Sequence, residues 1–168
     1  GGFTGVVMGL YAIDEEGRIW YWGDSGSYTG INNYNYNYIT TPMCITDIQE
    51  SELGKAYSNG TRFELITESG TYNNICALDT EGNVWVLYGN IGHNGISAGY
   101  SGVYCINNVE GHKINEQAQK YEDYKIEKIN SIYGIGLAIT DNQGTTWLIS
   151  NDTAKIQDKY NVPTDITD

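Results

Sequence analysis

Basic residues, prolines and long apolar runs are all scarce in this chain of 168 residues. Nine lysines and arginines stand against 21 aspartates and glutamates, which gives a formal net charge of −12. A surface with this charge repels a phosphate backbone unless its few cations cluster, and here they are scattered along the sequence. The composition therefore argues against nucleic-acid binding. No apolar stretch approaches the roughly 20 residues of a membrane-spanning helix, which argues against membrane insertion.

The two prolines leave no obvious linker, so we predict a single domain over residues 1–168. A chain of this length buries roughly 70% of its unfolded surface in one core. The 21 glycines and 15 tyrosines are typical of an all-β chain with many turns, and few long helices are expected.

Residues that could carry catalysis are also few. His93 and His112 have no serine, cysteine or acid at a recognisable motif spacing, and no phosphate-binding loop is present. The three cysteines contain no C-x-x-C pair, so they do not resemble a zinc site, although a metal remains the alternative to free thiols. We therefore predict no catalytic residue, no metal and no cofactor.

One short segment occurs three times, as Ala12–Trp20, Ala77–Trp85 and Ala138–Trp147. Each copy has apolar residues, a polar turn with a glycine, a β-branched residue and a tryptophan. A glycine can adopt the positive φ that closes a hairpin turn, and the residues after it favour a returning strand. The recurrence indicates a repeat architecture, in which the three tryptophans fill the space between repeats.

The similarity continues on both sides of the hairpins. Strands are predicted before the second and third copies, at Arg62–Ile66 and Tyr124–Ile129, but not before the first copy. The last residues, Val162–Asp168, match Pro42–Asp47 and are therefore predicted to be the final strand of the third repeat. The repeats span about residues 1–47, 62–108 and 124–168.

The order Trp20-x-Trp22-Gly23, a glycine-spaced loop and Thr41-Pro42-x-x-Ile45 resembles the regulator-of-chromosome-condensation repeat family. The resemblance implies an all-β fold, a partial or atypical β-propeller of three consecutive antiparallel blades. Three blades are too few for a ring of the family's usual size. We infer either a section of a longer propeller or a domain whose strand edges are covered by a partner chain.

The alignment of the repeats argues against a disulfide between the cysteines and against calcium binding by the acidic turns. Cys44 and Cys105 occupy equivalent positions one blade apart, beyond the roughly 7 Å that a disulfide allows between Cα atoms, and Cys76 replaces an inward aliphatic residue. We expect all three to be buried free thiols. The turns Asp14–Gly17 and Asp79–Gly82 could suggest calcium, but they are too short for a calcium loop and fit hairpin chemistry.

Two inserts depart from the family pattern. Thr46–Gln49 resembles a capping box that starts a short helix, which Gly54 would end. Asn115–Glu122 could hold two further turns of helix. Both inserts follow the last strand of a repeat, and insertions at one place in each repeat map to one face of a propeller, which is often a binding face.

The segment Ile31–Tyr38 alternates asparagine with tyrosine and belongs to no family pattern. In an extended segment its tyrosines share one face. The segment is either a packed strand extension or low-complexity loop, or a contact surface for a partner. Tyrosines in glycine-rich loops of successive repeats could extend this rim. The predicted partner-binding residues are Tyr28, Tyr34, Tyr36, Tyr38 and Tyr100.

The resemblance implies a non-catalytic interaction module whose partner is a protein, a glycan or further subunits of a surface assembly. The asparagine, isoleucine and tyrosine bias is more typical of a bacterial member, and secreted bacterial members of the family favour an extracellular or cell-surface location. Two alternatives remain. One is guanine-nucleotide exchange on a small GTPase, the activity of the family's namesake. The other is an enzyme whose catalytic residues are scattered over the loops.

Overall fold

The computed structural model describes residues 3–7, 11–23, 39–69, 74–88, 103–108, 113–132, 136–150 and 164–165. They form three four-stranded antiparallel sheets, each with its strands in chain order. Blade 1 contains Phe3–Val7 (β1), Tyr11–Asp14 (β2), Ile19–Gly23 (β3) and Ile39–Cys44 (β4). Blade 2 contains Phe63–Ser69 (β5), Asn74–Asp79 (β6), Val84–Tyr88 (β7) and Tyr104–Cys105 (β8). Blade 3 contains Ile126–Ile132 (β9), Gly136–Asp141 (β10), Thr146–Ser150 (β11) and Thr164–Asp165 (β12).

The blades are arranged around a common axis. The first strands of consecutive blades, β1, β5 and β9, contact one another in order, so they lie nearest that axis. The prediction of an all-β fold with three antiparallel blades is confirmed. Within the described part of the chain, no helix is long and apolar enough to cross a membrane.

Blade 1 has a first strand, contrary to the prediction that it lacks one. β1 pairs with β2, with Phe3 opposite Asp14 and Val7 opposite Tyr11. Its register shifts beside Gly5, and the first strand of blade 2 shifts at the equivalent place. Phe, Thr and Val are typical strand residues, so the composition of β1 does not explain why it was missed. Val6 lies opposite Ala12 and Ile66 lies opposite Ala77, so β1 is closer to its alanine than β5 is, and an alignment at constant spacing did not reveal it.

The pairing register also corrects the alignment of the third repeat. Ala12 lies opposite Trp20, and Ala77 lies opposite Trp85, but the residue opposite Trp147 is Ile139. The prediction that began the third copy one residue earlier, at Ala138, was wrong. A shift of one residue moves every side chain of a strand to the other face, so the correction changes which residues are equivalent between blades.

The last strands follow the predicted equivalence. Cys44 lies opposite Trp20 and Cys105 lies opposite Trp85. Asp165 of β12 lies opposite Trp147 in the same way, so the predicted final strand is present in blade 3.

Each helical insert follows a one-turn 3-10 helix at the end of a blade. The 3-10 helices are Ile45–Asp47 and Ile106–Asn108, and the α-helices are Glu52–Ser58 (α1) and Lys113–Lys120 (α2). The second insert therefore forms the predicted short helix, displaced slightly toward the N-terminus.

The predicted boundaries of α1 were wrong. Ser51 caps the helix, and its Oγ accepts a hydrogen bond from the Gly54 N–H at 2.9 Å. Gly54 lies in the first turn, where a Cβ would overlap the carbonyl of Ile48, so the glycine permits a close backbone approach. The helix ends at Ser58 with Asn59 as its C-cap. Gly60 follows with a φ of +104°, and its N–H donates to the Tyr57 carbonyl at 3.0 Å.

Two hydrophobic clusters fill the spaces between consecutive blades. We call the side of a blade that faces the next blade its forward face, and the opposite side its rear face. Between blades 1 and 2 the cluster contains Tyr11, Ile13, Ile19, Tyr21, Ile45, Leu53, Phe63, Ile66, Ile75, Ala77 and Leu87. Between blades 2 and 3 it contains Cys76, Leu78, Val84, Val86, Ile106, Ile114, Ile126, Ile129, Leu137, Ile139 and Trp147. Each insert contributes one helical residue to its cluster, Leu53 or Ile114.

The antiparallel strand order divides the connections between two ends of the blades. The turns β2–β3, β6–β7 and β10–β11 lie at one end, which we call the turn end, and both helical inserts begin there because β4 and β8 run toward it. The strands β3, β7 and β11 finish at the opposite end, which we call the loop end.

Candidate functional site

The five tyrosines predicted to bind a partner all lie outside the described residues. The segments that contain them connect strands whose ends are described. β3 ends at Gly23 and β4 begins at Ile39, while β7 ends at Tyr88 and β8 begins at Tyr104. Both connections therefore start and finish at the loop end of neighbouring blades.

At the turn end, one aspartate organises each hairpin. We call the segments Asp14–Arg18, Asp79–Asn83 and Asp141–Thr145 the aspartate turns. In each of them the Oδ1 atom accepts hydrogen bonds from the backbone N–H groups two and four residues later. These distances are 3.0 and 3.0 Å at Asp14, 3.0 and 2.8 Å at Asp79, and 3.0 and 2.8 Å at Asp141.

The second carboxylate oxygen of each aspartate binds the repeated tryptophan. The indole Nε1–H donates to Oδ2 at 2.8 Å in Trp20 and at 2.9 Å in both Trp85 and Trp147. The prediction that these tryptophans only fill space was incomplete, because each also ties its returning strand to the turn. The constant six-residue offset between aspartate and tryptophan is the sequence signal that could have revealed this bond.

These bonds support the interpretation of the acidic turns as hairpin chemistry. Both oxygens of each carboxylate already accept N–H donors from the turn and its tryptophan, an arrangement that closes a hairpin rather than one that surrounds a metal ion. Among the described residues, no three histidine, cysteine or acidic side chains are grouped as metal ligands would be.

The first aspartate turn carries an additional cation. Arg18 Nε donates to Asp14 Oδ2 at 2.8 Å, and its guanidinium lies 5.5 Å from the centre of the Trp20 ring. Burial raises the pKa of Asp14, but hydrogen bonds from Trp20, Arg18 and Glu16 together outweigh burial and lower it. Because the folded-state pKa is lowered, this interaction stabilises the fold at neutral pH, and that stabilisation is lost as the pH falls through the lowered pKa.

The aspartate turns of blades 1 and 2 also bind the backbone of the next blade. The carbonyl of Gly17 accepts the Phe63 N–H at 3.1 Å, and the carbonyl of Gly82 accepts the Ile126 N–H at 2.9 Å. Both glycines have a positive φ, +72° and +83°. Each of these two glycines therefore closes its own hairpin and also bonds to the first strand of the following blade.

The first helical insert is attached to the same end. Arg62 lies over the Tyr57 ring at 3.9 Å and donates to the Tyr57 carbonyl at 3.0 Å. The Tyr57 hydroxyl in turn donates to the Glu16 carbonyl at 3.4 Å, which connects α1 to the turn of blade 1. The insert is thus held against both blades rather than extending from one of them.

Charge at the turn end is predominantly negative. Among the described residues of its turns and inserts, the exposed acidic ones are Glu15, Glu16, Asp47, Glu50, Glu52, Glu81, Glu116, Glu122 and Asp123. The exposed basic residues there are Lys55, Arg62, Lys120 and Lys125. Lys55 is paired with Glu52, and Arg62 is bound to backbone carbonyls, so part of this positive charge is already neutralised or engaged.

The three cysteines are buried and free, as predicted. Burial raises the pKa of Cys76 to about 12 and that of Cys105 to about 11, and burial likewise raises the pKa of Cys44. A thiol with a raised pKa is protonated at neutral pH and is a poor nucleophile and metal ligand. These residues therefore act as small core side chains.

Comparisons with known proteins give a match in structure only. No protein-family model and no curated sequence matches this chain. Human WBSCR16 superposes with a TM-score of 0.63 and 14% identity over 93% of this chain. Prp20p from Saccharomyces cerevisiae superposes with a TM-score of 0.57 and 17% identity over 92% of this chain. Yeast RCC1 (Prp20) in a complex with Kap60 superposes with a TM-score of 0.55 and 18% identity over 92% of this chain.

The chain spans only about a third of these proteins, 36%, 35% and 34% of their lengths respectively. The superpositions establish the fold, and identities this low leave the activity open. The repeated hairpins, the four-stranded blades and the superpositions agree with one another. The three blades therefore have the fold of one section of an RCC1-like β-propeller.

Proposed function

We propose that this chain is part of a non-catalytic interaction module that binds another protein. The observation that carries the proposal is the rigid connection of the blades, since every aspartate turn between two blades is bonded to its own strands and to the next blade. A preorganised framework loses little conformational entropy on binding, which favours recognition by the loops it presents. Structures of Prp20p, which has the same fold, are described with its binding to Gsp1p, histones and Kap60.

We assign the contact surface to the loop end, where the segments with Tyr28, Tyr34, Tyr36, Tyr38 and Tyr100 are anchored. Tyrosine offers a broad contact area with little rotational freedom to lose, and its hydroxyl can bond to a polar partner. The same chemistry suits a glycan or further subunits of a surface assembly, which are the alternative partners. Composition favours a bacterial, extracellular or cell-surface setting for the module.

Serine at Tyr34, Tyr36 and Tyr38 together should abolish partner binding and leave the melting temperature within a few degrees of wild type. The matched control is serine at Asn33, Asn35 and Asn37, which alternate with the tyrosines in the same segment. Binding would be measured on a glycan array and on an array of surface proteins from the organism that encodes the chain. A large fall in melting temperature for the tyrosine variant alone would show that these side chains belong to the core, and the assignment would fail.

Guanine-nucleotide exchange is the second candidate, because the fold is shared with Prp20p, whose structure is described with its binding to Gsp1p. Release of a fluorescent guanine nucleotide from a panel of small GTPases separates the two proposals. We expect no acceleration by this chain. Acceleration that rises with its concentration would favour exchange over the non-catalytic proposal.

A further inference from the structure

The first helical insert ends in a turn where an asparagine is followed by a glycine. Asn59 is the C-cap of α1, with φ −85° and ψ 6°, and Gly60 follows it with a φ of +104°. Both residues are exposed, and no described atom lies within 4 Å of the position that a Cβ on Gly60 would occupy. The side-chain amide of Asn59 is therefore open to solvent next to a residue without a side chain.

The Asn59–Gly60 pair has the chemistry to lose the asparagine amide without an enzyme. The Gly60 backbone nitrogen attacks the Asn59 Cγ, a nitrogen–carbon bond forms, and the Cγ–Nδ2 bond breaks. The attacking nitrogen gives up its proton, and Nδ2 leaves as ammonia. Water then opens the five-membered imide at either carbonyl carbon, which leaves an aspartate or an isoaspartate. Glycine favours the ring closure because it has no Cβ to obstruct the attack.

The hydrogen bonds of the turn hold this pair away from the reactive geometry. The Gly60 N–H donates to the Tyr57 carbonyl at 3.0 Å, and the Thr61 N–H donates to the Ala56 carbonyl at 3.1 Å. Ring closure requires the Gly60 nitrogen to eclipse the Cβ of Asn59, whereas a ψ of 6° makes it eclipse the Asn59 nitrogen. The closed turn is therefore unreactive, and the reaction proceeds from a locally opened form.

Arg62 bridges the two sides of this turn. Its Nη1 donates to the Tyr57 carbonyl at 3.0 Å and to the Thr61 carbonyl at 2.8 Å, and its guanidinium carbon lies 3.9 Å from the centre of the Tyr57 ring. The two acceptors flank Asn59–Gly60, so their separation is fixed while Arg62 is bound. Opening of the turn requires these bonds to break as well.

We propose that Asn59 is a site of spontaneous deamidation, and that Arg62 limits the rate by holding the turn closed. Isoaspartate routes the chain through the side-chain carboxyl, which lengthens the backbone by one carbon and displaces the N–H groups of Gly60 and Thr61 from their acceptors in α1. Either product also adds a negative charge at the C-terminal end of a helix, where it is unfavourable. The proposal goes beyond the proposed function, because it concerns α1 rather than the loop end.

Incubation of the folded chain at neutral pH and body temperature, followed by peptide mapping with mass spectrometry, tests the proposal. The wild type should deamidate at Asn59 about tenfold more slowly than the same chain in guanidinium chloride. Asn130 is exposed and precedes a serine but lies in β9, paired with Ala138, so it should keep its amide in the folded chain. The mapping also separates Asn59 from the second such pair, Asn94–Gly95, which lies outside the described residues.

Arg62→Met removes the bridge and should raise the rate at Asn59 about threefold or more in the folded chain, with no effect in denaturant. Lys55→Met is the matched control, because it removes a cation of α1 that is paired with Glu52 and does not touch the turn. It should leave the rate unchanged. In molecules with isoaspartate at position 59, the Thr61 N–H should lose its protection from hydrogen exchange.

An Asn59 amide that stays intact in the folded chain over many half-lives of the denatured chain overturns the assigned site. The role of Arg62 fails if Arg62→Met reacts at the wild-type rate, or if Lys55→Met reacts equally fast. Far-UV circular dichroism checks that each variant is folded. If Arg62→Met does not fold, the wild type decides, and equal rates at Asn59 with and without denaturant would show that the turn gives no protection.

Discussion

Gly82→Ala should lower the free energy of unfolding by about 2–5 kcal/mol, whereas Gly144→Ala should lower it by only about 1–2 kcal/mol. Both glycines have nearly the same positive φ, +83° and +84°, so both substitutions impose the same backbone strain. Only at Gly82 does the new Cβ also lie 2.8 Å from the Lys125 Cα and 2.9 Å from the Ile126 nitrogen of blade 3. That overlap accounts for the additional loss.

Urea denaturation measures the free energy of unfolding of both variants. The loss in Gly144→Ala gives the backbone strain that the two substitutions share, so the excess loss in Gly82→Ala measures the overlap with blade 3. Equal losses of stability would mean that the turn of blade 2 does not receive the first strand of blade 3 as described. The same comparison applies to Gly17→Ala, where a Cβ would lie 3.0 Å from the Arg62 Cβ and 3.1 Å from the Phe63 nitrogen. We expect its loss to fall between the other two.

Asp79→Ala should lower the free energy of unfolding by about 2–4 kcal/mol, because the substitution leaves several donors without an acceptor. Asp79 is 1% exposed and accepts the backbone N–H groups of Glu81 and Asn83 as well as the Trp85 indole N–H. The turn it organises also holds the Ile126 N–H through Gly82. Thermal and urea unfolding both measure the loss.

Two controls separate the parts of that effect. Trp85→Phe removes the indole N–H and keeps an aromatic ring, so it should destabilise the fold by about 1 kcal/mol more than its loss of ring area explains. Thr80→Ala changes an exposed residue of the same turn and should have an effect within about 0.5 kcal/mol. An Asp79→Ala variant as stable as Thr80→Ala would contradict the role given to the carboxylate.

The hairpins could be predicted from the sequence because their signals are local. A glycine with positive φ and a β-branched residue before a tryptophan specify a turn and a returning strand within ten residues. The same local spacing placed β12 opposite Trp147, although only a few residues of its strand match Pro42–Asp47. Local patterns of this kind are therefore sufficient to predict most strands of the blades.

The features missed by sequence analysis depend on contacts between distant residues. β1 is stabilised by pairing with β2 and by its neighbour β5, so its glycine does not prevent strand formation. A glycine is required at position 54 because the Ile48 carbonyl lies where a Cβ would be, and not because the helix ends there. Ile139 was misaligned because Ala138 repeats the residue type of Ala12 and Ala77. The position of Asp141 relative to Trp147 could have corrected this, since Ile139 precedes Asp141 as Ala12 precedes Asp14.

The site was predictable only in part for the same reason. The aspartates and tryptophans were identified as separate repeated residues, but the bond between their side chains requires the returning strand to be in place. The tyrosines of the loop end were identified by their alternation alone. They lie outside the described residues, so their role as a partner-binding surface stays a prediction.

Amide hydrogen exchange at Phe63 and Ile126 tests most directly whether the aspartate turns of blades 1 and 2 hold the next blade. In the wild type we predict that both N–H groups, bonded to the carbonyls of Gly17 and Gly82, exchange as slowly as the N–H groups inside the sheets. In Gly82→Ala, Ile126 should lose its protection while Phe63 keeps it. Fast exchange of both groups in the wild type, or equal loss at both in the variant, would contradict the account.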